Sequence, residues 1–253
     1  MMYIFEYKEL IRNLVVSDLK TKYTGSVLGF AWSLVNPLLM MLVLYFVFSS
    51  IFHTQENFVL YLLTGIFVWR FFANGTTAAM YSIVGKSSLV TKIFIPREIL
   101  TLSIAISCFV SSILEFLVLI PLLIILGAGI SATILFVPIL HLLYFMIVFG
   151  ISLILASLYV YYRDLNQIWD VVLQVGFFLS PIVYPLAYIP AKYEFYYMLN
   201  PITRLITMYR DVLLDGTIPK ISDFGIVIAF GVLLLVLGTL LFKKQSRRFA
   251  EEL

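Results

Sequence analysis

The sequence predicts an all-α integral membrane protein of six transmembrane helices, and three observations predict it. Hydrophobic residues make up 62% of the 253 and charged residues only 12%, more apolar surface than a soluble domain of this length can hide. The charges gather between long charge-free runs at 24–55, 57–69, 71–85, 99–114, 116–162, 171–191 and 224–242. A spanning helix needs about 20 mostly apolar residues, and lipid offers no partner for unpaired backbone, so such runs must be helical. Lysine and arginine, finally, mark alternate connections. Lys8, Arg12, Lys20 and Lys22 precede the first run, Lys86, Lys92 and Arg97 come after the second, Arg163 precedes the fifth, and Lys243, Lys244, Arg247 and Arg248 come after the last. The loops at 53–57 and 127–132 carry neither residue. The positive-inside rule then puts both termini in the cytoplasm. Segment 187–221 dissents mildly with Lys192, Arg204, Arg210 and Lys220, accompanied by Glu194, Asp211 and Asp215.

The elements are arranged in order as one domain over 1–253. Residues 4–22 read as an amphipathic interface helix: Ile4, Tyr7, Ile11, Leu14, Val15 and Leu19 recur at helical spacing, while Glu6, Glu9, Asn13, Ser17 and Lys20 take another face. Such a helix lies in the interface plane or docks a partner. Spans are expected near 27–52 and 58–82, the first acting as an uncleaved signal anchor because no short h-region with a cleavage site precedes it. Ser87 or Ser88 caps a short helix in the next loop, and Pro96 suits the first turn of span three, near 99–126. Gly127-Ala128-Gly129 separates it from span four, near 133–160. Span five, near 168–186, is broken by Pro181 and Pro185, and Pro190 and Asn200-Pro201 punctuate the segment beyond it. Proline removes a backbone donor, so this broken stretch must be covered by protein or line a wet cavity. An amphipathic segment ends at Asp215-Gly216, and span six lies near 222–242.

Chemical motifs are few. Gly85-Lys86-Ser87 looks like the end of a phosphate-binding loop, but position 80 is Met80 where that motif needs glycine. His53 and His141 lack ligand spacing, so no metal is expected, and no triad or carboxylate pair points to catalysis. The single cysteine, Cys108, excludes an intramolecular disulfide. The basic balance belongs to the cytoplasmic flanks rather than to nucleic-acid binding. Two charges fall inside spans, Arg70 and Glu115, at similar depth. Either they form an interhelical ion pair or they line a polar conduit. Aromatics are abundant, 22 Phe, 16 Tyr and 3 Trp. Tyr45 and Phe48 in span one, with Phe177, Phe178 and Tyr184 in span five and its extension, serve either ordinary packing and an interfacial belt or a surface on which sugar rings stack.

Several short pieces, in this order, resemble a known family. They are Asp18-Leu19-Lys20-Thr21-Lys22-Tyr23, Ser26-Val27-Leu28-Gly29-Phe30-Ala31-Trp32, Pro37, Lys92-Ile93-Phe94-Ile95-Pro96-Arg97-Glu98-Ile99-Leu100 and Tyr162-Arg163-Asp164-Leu165. Leu179-Ser180-Pro181, Tyr184-Pro185, Leu199-Asn200-Pro201 and Tyr209-Arg210-Asp211 complete the series. Together they resemble the membrane subunit of the bacterial ABC-2 type polysaccharide ABC exporters, which export O-antigen, capsular polysaccharide or teichoic acid. Two positions depart from that pattern: Ser17 stands where many members carry arginine, and Gly85-Lys86 replaces a more usual Gly-Asn.

The resemblance implies a multi-pass protein of the bacterial plasma (inner) membrane, the pathway subunit of an ATP-driven exporter of lipid-linked polysaccharide. It implies a homodimer with a central pathway and two copies of a separate ABC ATPase, which would hold the ATP and Mg; no cofactor is expected in this chain. It implies a coupling helix at 85–95, with Lys86, Leu89, Lys92 and Ile93 meeting that ATPase, and short outer gate helices at 187–215. A closer alternative is an ABC-2 exporter of another lipid or drug. An ion-coupled secondary transporter predicts paired broken helices and an internal repeat, and a glycosyltransferase predicts carboxylates at a membrane face; neither pattern is visible in the sequence.

Overall fold

Apolar length sets the framework. The computed structural model describes residues 6–24, 29–49, 57–92, 95–129 and 131–253, and the regular structure among them is entirely helical. In chain order the helices are α1 (Lys8–Tyr23), α2 (Ala31–Phe48), α3 (Phe58–Met80), α4 (Ser87–Lys92), α5 (Glu98–Ile125) and α6 (Val137–Tyr161). After them come α7 (Leu165–Leu179), α8 (Ala191–Leu199), α9 (Pro201–Leu213), α10 (Ile221–Ser246) and α11 (Phe249–Glu252). Helices α2, α3, α5, α6 with the 3-10 turn ahead of it, and α10 are long and apolar enough to cross a membrane. Parts of the expected interface helix and first span (residues 4–5, 27–28 and 50–52), together with Ile93, lie outside the described residues.

Helix α7 departs from the expected fifth span. It stops at Leu179 instead of running over 168–186, and its 15 residues cover about 22 Å of a hydrocarbon core about 30 Å thick. Pro181 and Pro185 are the reason: they cannot donate to the preceding turn, and the chain continues through extended backbone and one 3-10 turn at Leu186–Tyr188. Residues 180–183 are buried, so protein covers the irregular backbone, as lipid requires.

Helix α3 is the centre of the bundle. Leu62, Leu63, Ile66, Phe67 and Val68 are buried with Phe71 and Phe72 on the same helix, and α3 packs against α2, α5, α6, α7 and α9. A helix apolar on every side belongs inside, whereas one with an exposed face has lipid or another chain beside it. Helix α2 shows the second pattern: Leu39, Met40, Leu42, Val43, Phe46 and Val47 are all exposed.

The α6–α10 pair is the most intimate contact. Gly150 and Gly238 sit face to face, and a Cβ added at Gly150 would lie 2.7 Å from the Leu234 backbone carbon. One added at Gly238 would collide with the Gly150 carbonyl oxygen. Small residues let helix backbones touch, which is how spanning helices gain packing energy where lipid supplies no hydrophobic drive.

At one end, the near end, α1, α4 and α11 gather around a second core of Ile83, Val90, Leu100, Leu153, Phe242 and Phe249. Helix α1 packs along α5 with Ile11 buried and Leu14, Val15 and Leu19 half-buried. At the far end, α9 is buried almost all round. Asn200 caps it by accepting from the Ile202 amide at 3.0 Å with Pro201 in its first turn. Its last turn is tied down where Thr133 Oγ1 donates to the Val212 carbonyl at 2.7 Å.

Gly238→Ala should destabilise the protein by about 1–3 kcal/mol, the usual cost of overpacking. Gly85→Ala should be near neutral, since an added Cβ there meets nothing within 4 Å. Thermal unfolding of both variants in detergent checks the pair.

Candidate functional site

Two arginines organise the interior, and each answers a proline. In α2, Pro37 has no N–H to offer the Ser33 carbonyl one turn earlier. Arg70, midway along α3, supplies the missing donor: its Nη2 lies 3.3 Å from that carbonyl, and Nη1 donates to Asn36 Oδ1 at 3.1 Å. The same Nη2 stands 3.8 Å from Glu115 Oε1 on α5. Arg70 and Glu115 are thus brought together, and Arg70 joins three helices. The Arg70–Glu115 contact is on the wall of a cavity of about 540 Å³, whose lining also includes Lys22, Trp32, Asn36 and Asn74.

Arg210 on α9 is the second bracket. Its Nη1 donates to the Pro181 carbonyl at 2.6 Å, and its Nη2 to those of Ile182 at 3.2 Å and Tyr61 at 3.1 Å. The guanidinium stacks 3.2 Å from the centre of the Tyr61 ring, a cation–π contact strengthened by desolvation. Tyr61 Oη adds bonds to the Tyr184 carbonyl at 3.1 Å and the Pro181 carbonyl at 3.3 Å. Gly65 makes room, because a Cβ there would lie 2.7 Å from Arg210 Nη2. Burial pulls the Arg210 pKa down to about 10, against the opposing pull of Tyr61 and Asp215, so it stays protonated at neutral pH. Carbonyl dipoles and a ring face therefore solvate this cation. Arg204 pairs with Asp223, tying α9 to the start of α10.

Beside Arg210 opens a far-end cavity of about 500 Å³ lined by Tyr61, Thr207, Arg210, Asp211 and Asp215, among others. Burial, then the charges of Asp215 and Asp223, push the Asp211 carboxyl up to about 6 from an ordinary 3.8, with Lys220 opposing. The sequence shows Arg210 as one of four basic residues in a segment that breaks the charge rule and as part of the Tyr209-Arg210-Asp211 piece, but neither says what its side chain meets. The signal that could have found it is the demand for donors set by Pro181 and Pro185.

The other residues singled out by the sequence take varied places. Lys86 bonds both Asp18 carboxylate oxygens at 3.0 Å, joining α4's start to α1. Leu89 packs against the near-end core. Lys92 closes α4, whose outward positions are Ser88 and Thr91. Phe177 is buried against Trp69 at a centroid distance of 6.0 Å, while Phe178 is 60% exposed on another face. Tyr184 turns back to donate to the Phe178 carbonyl at 2.8 Å. Tyr45 is exposed and Phe48 packs partly against the core. Among the five, Phe177 is buried while Tyr45 and Phe178 are exposed. His141 is a core histidine, 2.7 Å from Tyr209 Oη and stacked on Phe71. Among the described residues no group of three or more His, Cys, Asp or Glu gathers to hold a metal.

A helical bundle with bracketed breaks, a polar cavity among its spans and a buried irregular segment after α7 defines a polytopic membrane protein of the transporter class. The chain belongs to the ABC-2 type transporter family, whose pattern matches residues 9–214. It is similar over its full length to an "O-antigen export system permease protein RfbA" of Klebsiella pneumoniae, 30% identical, covering 98% of this chain and 95% of that one. A protein of the same name from Myxococcus xanthus is 29% identical, covering 99% and 97%. The "Polysialic acid transport protein KpsM" of Escherichia coli is 23% identical, covering 94% of each.

Neutralising Arg70 should cost more stability than neutralising Glu115. Arg70→Gln strands both the Ser33 carbonyl and a carboxylate, whereas Glu115→Gln leaves Arg70 two acceptors. The double variant should be less destabilised than the sum, with a coupling of about 0.5–3 kcal/mol, read as detergent unfolding across the cycle. Strict additivity would mean that the two do not interact.

The far-end carboxylate sets a pH dependence. Because the folded state raises the Asp211 pKa, it binds the proton more tightly than the unfolded chain. The resulting stabilisation is full below about pH 4 and is lost as pH rises through about 6. Asp211→Asn should flatten the decline in stability between those values and leave the variant more stable than the parent at neutral pH. Unfolding midpoints measured across that window decide it.

Proposed function

We propose that this chain is the transmembrane pathway subunit of an ATP-driven exporter that moves lipid-linked polysaccharide across the bacterial plasma membrane. The observation that carries the reading is full-length similarity to permeases named for O-antigen and polysialic acid transport. In this reading α7 and the broken segment 180–186 complete a sixth crossing, so that both termini are cytoplasmic. The grouping of α1, α4 and the carboxy-terminal helix at one end of the bundle supports that orientation, as does the distribution of lysine and arginine.

The near end would then meet a separate ABC ATPase, present in two copies and holding ATP and Mg, with this chain as a homodimer. Helix α4 is the coupling element, within the segment bearing Lys86, Leu89, Lys92 and Ile93. Lys86 and Leu89 tie it to its own chain, so a push on its outward Ser88 and Thr91 passes into α1 and the near-end core. Helices α8 and α9 form the outer gate, and the exposed flanks of α2 and α7 face the pathway between protomers. Tyr45, Phe48, Phe178 and Tyr184 offer ring faces to a hydrated, weakly charged polymer, and Phe177 buttresses Phe178 from behind, 5.3 Å away.

The test pairs two variants in cells that depend on this chain for surface polysaccharide. Ser88→Arg with Thr91→Arg should lower copurification of the ATPase and surface polysaccharide together. Tyr45→Ala with Phe178→Ala should lower polysaccharide at least about tenfold, a loss equivalent to about 1.4 kcal/mol, with assembly intact. Unchanged polysaccharide in a strain lacking the chain would overturn the function.

A further inference from the structure

The cavity around Arg70 is built for more than structure. Its walls come from α2, α3 and α5, with Lys22 reaching in from the end of α1, where its Nζ lies 3.4 Å from Ser111 Oγ. Two cations, Lys22 and Arg70, face one carboxylate, Glu115, so the lining is net positive. Arg70 has five N–H groups. Two of them serve Asn36 and the Ser33 carbonyl, Nη2 also stands 3.8 Å from Glu115, and Nε is buried without a partner among the described residues. The second N–H of Nη1 is used by none of these bonds and is the donor left for a ligand. Asn36 and Asn74 add exposed amides, and Trp32, 51% exposed, stands on the same wall.

A cationic, amide-lined cavity among spanning helices is costly to keep without a use. Charge-assisted bonds from arginine and lysine select phosphoryl oxygens. Beyond Trp32, α2 continues as an exposed apolar face through Leu39, Met40 and Val43. An aqueous anion would gain nothing from that face and would lose hydration on reaching this depth. An amphiphile would leave its tail in lipid beside α2 and place its head among the cations.

We propose that this cavity binds the phosphate or diphosphate head of a lipid, with Lys22 and Arg70 on the phosphoryl oxygens, Asn36 and Asn74 beside them, and the tail along α2. This rests on the export reading, in which that lipid is the carrier of the glycan. Glu115 holds Arg70 in place and, by halving the net charge, lets the head leave again.

Cys108 lines the same cavity and is the only cysteine in the chain, so it reports occupancy without an introduced probe. The chain is reconstituted in phosphatidylcholine nanodiscs, and the rate of Cys108 modification by N-ethylmaleimide is measured with farnesyl diphosphate, farnesol or inorganic pyrophosphate. Farnesyl diphosphate should slow the reaction about tenfold at saturation, with little effect of the other two. Lys22→Gln, at an exposed residue whose loss spares the core, should weaken apparent affinity about tenfold, and Lys22→Arg should restore it. Equal protection by farnesol would make the cavity an apolar groove, and equal protection by pyrophosphate an aqueous anion site; either overturns the proposal, as does no protection at all. Should Cys108 resist the reagent, retention of farnesyl diphosphate in native mass spectrometry, and its loss in Lys22→Gln, decides the same question. Protection in a chain that exports no polysaccharide would keep the site and sink the export reading; export without protection would do the reverse.

Discussion

Backbone groups inside an apolar bundle must be satisfied by protein, and much of this molecule depends on how that is done. Pro37 frees a carbonyl in α2, and Pro181 and Pro185 end α7 early. In each place an arginine from a different helix supplies the donors. The cost of a cation among apolar helices is offset in part because the Ser33 carbonyl, freed by Pro37, and the Pro181 carbonyl, freed by Pro185, would otherwise lack a helical donor, a penalty of several kcal/mol per group in hydrocarbon. A hydroxyl has one proton to share, whereas a guanidinium carries five N–H donors and serves several acceptors at once. Arg210 can therefore fasten the start of α3, the break after α7 and α9 to one another, and Arg70 can fasten α2, α3 and α5.

Those brackets also divide the bundle into firm and loose parts. Helices α3, α5, α6 and α10 are held by close packing, with Gly150 and Gly238 at the tightest point. Helix α2 and the outer face of α7 carry far less of their surface inside the chain than α3 does. Motion in packed assemblies goes by discrete shifts of elements that have few internal contacts. In the proposed transport cycle the parts free to move are α2 and α7, and the arginines at their ends are the hinges about which they would swing. A polar cavity beside the Arg70 hinge would make occupancy and helix position depend on each other.

Function at the near end has a similar logic. Helix α4 is only 6 residues long, too short to hold its shape alone. Val90 and Leu89 anchor it to the core that Phe242 and Phe249 also fill, and Lys86 joins it to Asp18 of α1. In the proposed transport cycle, an element so tied would pass force to three other helices. The two ends of the chain in sequence, α1 and α11, thus converge on this short helix between spans.

Composition, run length and the placement of lysine and arginine determined the class of this protein, its helical character and the approximate place of the five helices long enough to cross a membrane, because lipid imposes its demands on local sequence. Proline spacing also marked where the backbone would break, and the similar depth of Arg70 and Glu115 made their meeting geometrically open. The sequence by itself did not determine which donors would repair the breaks. Arg210 and Tyr61 are separated by 149 positions, and only the folded bundle brings that guanidinium to three carbonyls from two distant segments. The inward turn of Leu89, the burial of Phe177 beside an exposed Phe178, and the cavity shared by Lys22, Arg70 and Glu115 were likewise decided by tertiary structure. Helical periodicity says which residues share a face; what that face meets depends on helix packing, which carries no signature in the local pattern.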